Sequence, residues 1–301
     1  MITSNPLWKL MKKTISGITT ESLEKAQVCI GGGKLVKLES MDEGYEDDLE
    51  VAGTTLLVEK EEGAAMATDD VRLGGIKRYI PRTMAKKVPI TEEALEDNKY
   101  KDTMSLSKRL MASAYKTQDI DVATLFLRCT ADTGGYDNVV LASTSHALPG
   151  GAAASNYLNA GTGMTPSPQA LMLMRNMAVL MPGPNGLIDS LELEAITFPD
   201  VQLDMWNVIT GSDKRPGTEY NDLNVVKDYG LKKIPVKWFD AVNTDFWGGL
   251  TNADDGVKAK QRRKITSNTW VDNDGMVAFH GVSYRMALGW SNWRRFILGN
   301  I

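Results

Sequence analysis

Histidine and cysteine are nearly missing from this chain of 301 residues, which has two of each. His146 and His280 leave almost no material for a Ser-His-Asp triad or a multi-histidine metal site. Cys29 and Cys129 lie far apart and form no Cys-x-x-Cys pair, so neither a zinc site nor a disulfide framework is expected, and a reducing compartment fits. Long hydrophobic runs are lacking as well. No window approaches the roughly 18 uninterrupted apolar residues of a spanning helix, and Met1 to Ser16 has neither the apolar block nor the small-residue cleavage site of a secretion signal. No membrane partner is expected. Positive charge is not in excess: 34 Lys and Arg stand against 38 Asp and Glu, a net charge of -4. Any contact with a polyanion must therefore be local.

Recognisable site motifs are also absent. Gly31-Gly-Gly-Lys34 lacks the spacer and the following Ser or Thr of a phosphate loop, and no Gly-x-Gly-x-x-Gly sits between a strand and a helix. Asp272-Asn-Asp-Gly275 begins like a calcium loop but has no closing Glu, which leaves a hairpin turn. Ser145 beside His146 could be imagined as nucleophile and base, yet no orienting acid is marked, and a turn-stabilising hydrogen bond is the stronger reading. His280 alternates with Phe279 in a strand pattern and reads as structural. Carboxylates are plentiful, but no catalytic pair stands out. No catalytic residue, cofactor or metal is predicted.

What is present suits a folded chain, with 43% hydrophobic residues and enough length for a substantial core in two or so units. The last stretch, Met276 to Leu298, is crowded with aromatic and basic residues and reads as a closing strand that must pack on something. Near the start, Leu7, Trp8, Leu10 and Met11 mark a short amphipathic helix, followed by a second one from Thr20 to the Gly31-Gly32-Gly33 stop. Residues 39–62 are strongly acidic, with Asp42, Glu43, Glu46, Asp47, Asp48 and Glu50 ahead of Thr54-Thr-Leu-Leu-Val and of Lys60, Glu61 and Glu62. An extended stretch follows from Val71 to Ile80, then a basic strand with Arg82, Lys86 and Lys87. A solvated acidic loop would explain the charge alone; the interleaved β-branched residues tilt the reading to a long hairpin arm.

Thr91-Glu-Glu-Ala-Leu-Glu-Asp reads as a helix start. From Asp102 to about Ala131, Leu106, Leu110, Ala114, Val122, Leu125, Phe126 and Cys129 recur at helical steps, with Lys108, Arg109, Lys116 and Asp119 between them. Ser143 to Asn156 is a small-residue loop, and Ser167-Pro168 opens a helix that turns Leu171, Met174, Ala178 and Met181 one way. A strand over Leu191–Phe198, a Pro199 break and a helix over Val201–Thr210 come next. Further strands are predicted at Asn224–Val226, Ile234–Phe239, Gln261–Trp270 and Met276–Leu288, with turns at Asp255-Gly256 and Asp274-Gly275. The basic cluster Lys258, Lys260, Arg262, Arg263 and Lys264 is either a solvated strand face or a contact for an acidic partner or phosphates. The fifteen methionines are adaptable core filler, with the helix Leu171 to Met181 a candidate for facing a neighbouring subunit.

Taken in order, the basic strand, Thr-Glu-Glu-Ala-Leu-Glu-Asp, the long helix, Ser-Thr-Ser-His-Ala-Leu with Gly150-Gly151 and Asn156, the strand-Pro-helix at Ile196 to Ser212, and a closing strand with Tyr284-Arg285 and Trp293-Arg294 form one series. From about Val71 to Ile301 this series resembles the major capsid protein of tailed bacteriophages. The resemblance implies an α+β, Hong Kong 97-like tailed-phage major capsid fold, shared with encapsulin shells. It implies an N-terminal arm over 1–38, an extended hairpin arm over 39–88, a peripheral domain over 89–163 and 258–301 with a spine helix, and an axial domain over 164–257. It further implies a structural, non-enzymatic role in a virion shell of hexamers and pentamers around double-stranded DNA, assembled in the host cytoplasm. Expected partners are further copies of the chain, a separate scaffold, a portal and decoration proteins. Candidate subunit-interface residues are Trp8, Glu46, Asp47, Asp48, Lys60, Glu61, Glu62, Arg82, Lys86, Arg262 and Arg263. Some members weld subunits through a Lys-to-Asn bond; Lys60 is the candidate donor here, with no acceptor identified. A cellular nanocompartment shell, another virion component and a cytosolic carboxylate-dependent hydrolase are the rival readings.

Overall fold

Period-two and period-3.6 patterning separate cleanly along the chain. The computed structural model describes residues 27–31, 34–52, 56–63, 65–69, 73–91, 100–148, 152–215, 222–272 and 277–301. Strands β1 (Lys37–Ser40), β2 (Glu46–Val51), β3 (Leu73–Tyr79) and β4 (Arg82–Thr91) precede the helix α1 (Tyr100–Leu127). Two small strand pairs follow, β5 (Thr133–Gly134) with β6 (Val139–Val140) and β7 (His146–Ala147) with β8 (Ala153–Ala154). Then come α2 (Pro168–Val179), β9 (Leu193–Pro199), α3 (Leu203–Gly211), β10 (Lys232–Val236), the short α4 (Lys237–Asp240) and β11 (Trp247–Thr251). The chain closes with β12 (Val257–Asp272), β13 (Val277–Trp290) and β14 (Phe296–Asn300).

Two four-stranded sheets organise these elements. The long sheet has the order β1-β12-β13-β4 and the compact sheet the order β10-β9-β11-β14. β13 alternates between half-buried and buried positions along most of its length, as a strand covered on one face should. Pro89 and Pro235 sit within strands, yet both β4 and β10 are sheet edges, where a missing N–H costs no ladder bond.

Helix α1 has 28 residues, about 42 Å at the usual rise. Leu110, Met111, Ala114, Val122, Ala123 and Phe126 are buried at three- and four-residue steps. Asp119, expected among the polar positions, is buried too: its carboxylate accepts the N–H groups of Val28 and Cys29 at 3.0 and 3.2 Å. That pair of bonds fastens residues 27–29 to the helix. An aromatic series then joins α1 to the compact sheet. Phe126 meets Phe296 edge-on at 5.2 Å, Phe296 stacks on Phe246 at 6.4 Å, and Phe246 meets Phe239 at 4.7 Å. Phe198, Trp206 and Trp247 extend the same core. Helix α2 starts as expected, with Ser167 Oγ accepting the Ala170 N–H, and it buries Leu171, Met174 and Ala178; Met181, buried too, lies two residues past its end.

Several sequence expectations are revised. Residues 224–226 do not form a strand; the Asn224 amide donates to the carbonyls of Ile209 and Ser212 at 2.7 and 3.0 Å, and a 3-10 turn runs over Val225–Tyr229. The strand predicted to Phe239 stops at Val236 and turns into α4, which buries Phe239. Thr91 ends β4, and 92–99, where the helix start is expected, lie outside the described residues. Of the run Thr54–Val58, residues 56–58 are described and are not strand. The small-residue stretch 143–156 contains the β7–β8 pair. Residues 82–88 form part of the edge of the long sheet, and β14 pairs with β11 of the compact sheet.

Candidate subunit interface

The hairpin β2–β3 is built inside out. Along β2, Glu46, Asp48 and Glu50 turn toward the body, while Asp47, Leu49 and Val51 turn to solvent. The inward acids meet buried bases on β12 and on the 3-10 turn Trp293–Arg295. Asp48 accepts Lys258 Nζ at 3.0 Å, the Lys260 ammonium, and Ser291 Oγ at 2.9 Å. Lys260 also reaches Glu46 at 3.2 Å and lies over the Tyr79 ring at 4.7 Å, and Tyr79 shares a 2.7 Å hydrogen bond with Ser291. Lys258 contacts Asp255 at 2.5 Å and Glu39 at 3.8 Å. Glu50 takes the Arg294 guanidinium at 3.1 Å, and Arg294 Nε donates to Pro182 O at 2.7 Å.

These pairings set the protonation states. Burial pushes the Asp48 carboxyl up, but the hydrogen bonds from Lys260, Lys258 and Ser291 outweigh it and hold the group below the usual carboxylate range. Burial pulls Lys258 down, and its bonds to Asp255 and Asp48 more than offset that, leaving it well above an ordinary lysine. For Arg294 burial wins, pulling it below the ordinary arginine value against the opposing effect of Glu50. Lys258, Lys260 and Arg294 are thus buried bases, each paired with an arm carboxylate. Single removals at such sites are strongly destabilising, because one charge stays buried without its partner.

Beyond the Asp47–Arg78 pair, the outward face is apolar. Leu49 opposes Ile76 and Val51 opposes Leu73 across the hairpin, and these four side chains are between 41% and 66% exposed. Beyond the strands, Leu56, Leu57, Val58 and Met66 are more exposed still, at 71% to 102%. Lys60, Glu61 and Glu62 sit on the same exposed segment. The hairpin also approaches the body closely: a Cβ on Gly75 would lie 1.8 Å from the Tyr136 carbonyl oxygen, so only glycine fits there.

A second surface lies on β4, β12 and β13. Lys86, Lys87, Trp270 and Val282 help to line a groove of about 340 Å³. Lys87 Nζ stands 4.1 Å from the Phe279 ring centroid, and Trp270 stacks on Phe279 at 5.7 Å while remaining 44% exposed. Arg82 is exposed on the same edge strand. Arg262 and Arg263 are exposed where β12 shifts register against β13, and Arg263 donates to Ser283 Oγ at 3.1 Å.

The structure therefore divides the predicted interface residues. Glu46 and Asp48 are engaged within the chain by Lys260 and Lys258, and Asp47 makes a two-bond pair with Arg78, both bonds at 2.7 Å. Those three acids are not a free negative surface. Lys60, Glu61, Glu62, Arg82, Lys86, Arg262 and Arg263 are exposed, and Trp8 lies outside the described residues. The basic cluster splits in the same way, with Lys258 and Lys260 buried and Arg262, Arg263 and Lys264 outside. Sequence reading missed the Asp48–Lys258–Lys260 and Glu50–Arg294 ties. A signal existed: Glu46-x-Asp-x-Glu and Lys258-x-Lys both have the strand period, which puts like charges on one face.

His146 is buried and hydrogen-bonds Asp137 and Asn156, with no serine on either ring nitrogen, which removes the nucleophile-and-base arrangement. Among the described residues no group of three His, Cys, Asp or Glu could hold a metal, and no helix is long and apolar enough to cross a membrane.

No family model matches this sequence, and no curated protein matches it. Solved structures do. The capsid of an empty GTA particle shares 10% identity at a TM-score of 0.57 and covers 93% of this chain and 89% of its own. A Mycobacterium phage Patience chain, also 10% identical at 0.57, covers 98% and 87%. The capsid of Myoviridae phage XM1, at 12% identity and 0.52, covers 87% and 89%. The chain thus has the α+β fold of tailed-phage capsid proteins over nearly its whole length.

Proposed function

We propose that this chain is a structural shell protein, the major capsid protein of a tailed phage, which assembles as hexamers and pentamers into an icosahedral head around double-stranded DNA. The observation that carries the reading is the inside-out hairpin, whose acids lock it to its own body while Leu49, Val51, Leu73 and Ile76 face outward. A chain that functions alone has no use for such a face; a neighbour's surface gives it burial. Residues 56–62 then form an extended arm and α1 the spine of a peripheral domain. The elements around β9, β10 and β11 form an axial domain. Head-to-tail contacts of this type close into rings by rotation. A separate scaffold, a portal and decoration proteins complete the assembly, and Arg262 and Arg263 are exposed bases for a neighbour's acids or the packaged DNA. The reading places the protein in the virion after assembly in the host cytoplasm.

Negative-stain microscopy of the purified chain tests this. Closed shells or capsomer rings are expected, and a compact monomer at high concentration overturns the proposal. Shells filled with a cargo enzyme in place of DNA would assign the same fold to a cellular compartment.

A further inference from the structure

Arg294 is buried where three parts of the chain meet, and its guanidinium has donors to spare. It lies on the 3-10 turn Trp293–Arg295 between β13 and β14, over the Trp293 ring at 4.6 Å. Nη1 donates to Glu50 of β2 at 3.1 Å and to Asn292 Oδ1 at 3.3 Å, and Nε donates to Pro182 O at 2.7 Å. An arginine carries five N–H groups, and those on Nη2 have no partner among the described residues. Pro182 follows α2 and opens a tight turn-back of the chain. Asp189 N–H donates to Met181 O at 2.9 Å, Gly183 N–H donates to Leu187 O at 2.6 Å, and Pro182 bridges Ile188. The Asp189 side chain is exposed and makes no bond among the described residues, yet after Glu50 it is the acid that acts most strongly on Arg294. Asp137, the next in order, is already held by His146. One buried cation thus has a carboxylate in use and a second, idle one nearby.

We propose that Arg294 is a two-position latch, paired with Glu50 while the hairpin arm lies on the body and with Asp189 when the arm lifts, so that the state of the arm is passed to the loop 181–189. The other ties of the arm do not lead there: Asp48 and Tyr79 end on Lys258, Lys260 and Ser291, whereas the Glu50 contact runs on through Arg294 to Pro182. Lifting β2 takes the Glu50 carboxylate away and leaves a guanidinium that cannot stay buried and unpaired. Asp189 is then the free acid closest in effect. Its own N–H is tied to Met181, so drawing its carboxylate inward shifts the paired backbone and with it Ile188, which is exposed beside the equally exposed Leu180. A docked arm and a lifted arm therefore present two different apolar surfaces at the end of α2. The coupling is reciprocal: a neighbour that holds the loop in its second position weakens the Glu50 pairing and favours release of the arm. As a control on assembly the latch rests on the shell reading, but the exchange of partners itself belongs to the single chain.

A double-mutant cycle on the full chain, held unassembled, tests the exchange of partners. Asp189→Asn alone should leave the urea midpoint where it is, because that carboxylate is idle while Glu50 is paired. Glu50→Gln alone should lower the midpoint, and the two together should lower it by clearly more than the sum, since Arg294 then has neither carboxylate. Additive midpoints overturn the proposal. Amide hydrogen exchange gives a second readout. Gly75→Ala, whose methyl would lie 1.8 Å from the Tyr136 carbonyl oxygen, lifts the arm with both carboxylates intact. It should change exchange at Gly183 and Asp189 severalfold while Met174 and Ala178 within α2 stay as in the wild type, and adding Asp189→Asn should abolish that change. Unaltered exchange at Gly183 and Asp189, or a change that survives Asp189→Asn, overturns the latch. Both measurements are made without shells, so a chain that never assembles would sink the shell reading and leave this result to be judged by itself.

Discussion

Asp48 shows how much one side chain can hold together here. It stands between two buried lysines and a buried serine, so Asp48→Asn keeps the shape and removes the charge that both ammonium groups need. Loss of one member of a buried ionic network costs on the order of 3 kcal/mol. We expect a clear drop in the urea midpoint for Asp48→Asn under conditions that keep the chain unassembled. The pH dependence has a definite sign. The folded carboxyl lies below its unfolded value of about 3.9, so its stabilisation is complete at neutral pH and disappears as the pH falls below roughly 4. Wild type should lose stability along that acid limb, and Asp48→Asn should lack this part of the loss. An unchanged acid limb in the variant would show that Asp48 does not hold the hairpin.

At the scale of elements, burial on the body and burial on a neighbour can be separated. Deleting Glu46 to Met66 would remove Asp48 and Glu50 and leave Lys258, Lys260 and Arg294 without their arm carboxylates. A cleaner test changes only the outward face. Leu49→Lys with Ile76→Lys touches side chains that are exposed in the single chain, so its stability should move by less than about 0.5 kcal/mol. Assembly should fail, since each Leu or Ile denied burial forfeits roughly 1.5–3 kcal/mol per contact. Light scattering and microscopy read the result, and normal particles from this variant would remove the outward face from the interface. Gly75→Ala makes the complementary test: the methyl collides with the Tyr136 carbonyl and should lift the hairpin from the body, lowering the unfolding midpoint.

The same scale explains what the sequence made legible. Helix α1, the Ser167-Pro168 start of α2 and the two long strands β12 and β13 follow from periodicity and capping, which are local. Residues 224–226 look like a strand but are fixed by the Asn224 amide reaching Ile209 and Ser212. The run at 56–58 has strand-forming residues, yet no neighbouring strand pairs with it among the described residues. Asp119 and the inward acids of β2 look like surface charges, because their partners lie far away in sequence. Burial of charge is a tertiary fact, and only the spacing of like charges on a strand face hinted at it.

For the whole molecule, net charge says little about assembly, since -4 is spread over opposed local surfaces. The exposed segment carries Glu59, Glu61 and Glu62 beside Leu56, Leu57 and Val58, and the groove on the long sheet carries Lys86 and Lys87 beside Trp270. If one copy's segment lies on another copy's groove, the apolar residues supply most of the affinity and the charges select the register. Exposed pairs contribute only about 0.2–1 kcal/mol each, and a Debye length of about 8 Å at physiological salt weakens them further. Multiplied over the contacts of a closed shell, that is still enough to shift the critical concentration for assembly. Lys86→Glu with Lys87→Glu should therefore raise that concentration at low salt, and the gap from wild type should narrow as salt is added. Glu61→Lys with Glu62→Lys should do the same. Combining all four changes reverses both partners and should restore assembly toward the wild-type threshold, a recovery that general surface damage cannot produce. If the combined variant assembles no better than either parent, the segment and the groove are not partners.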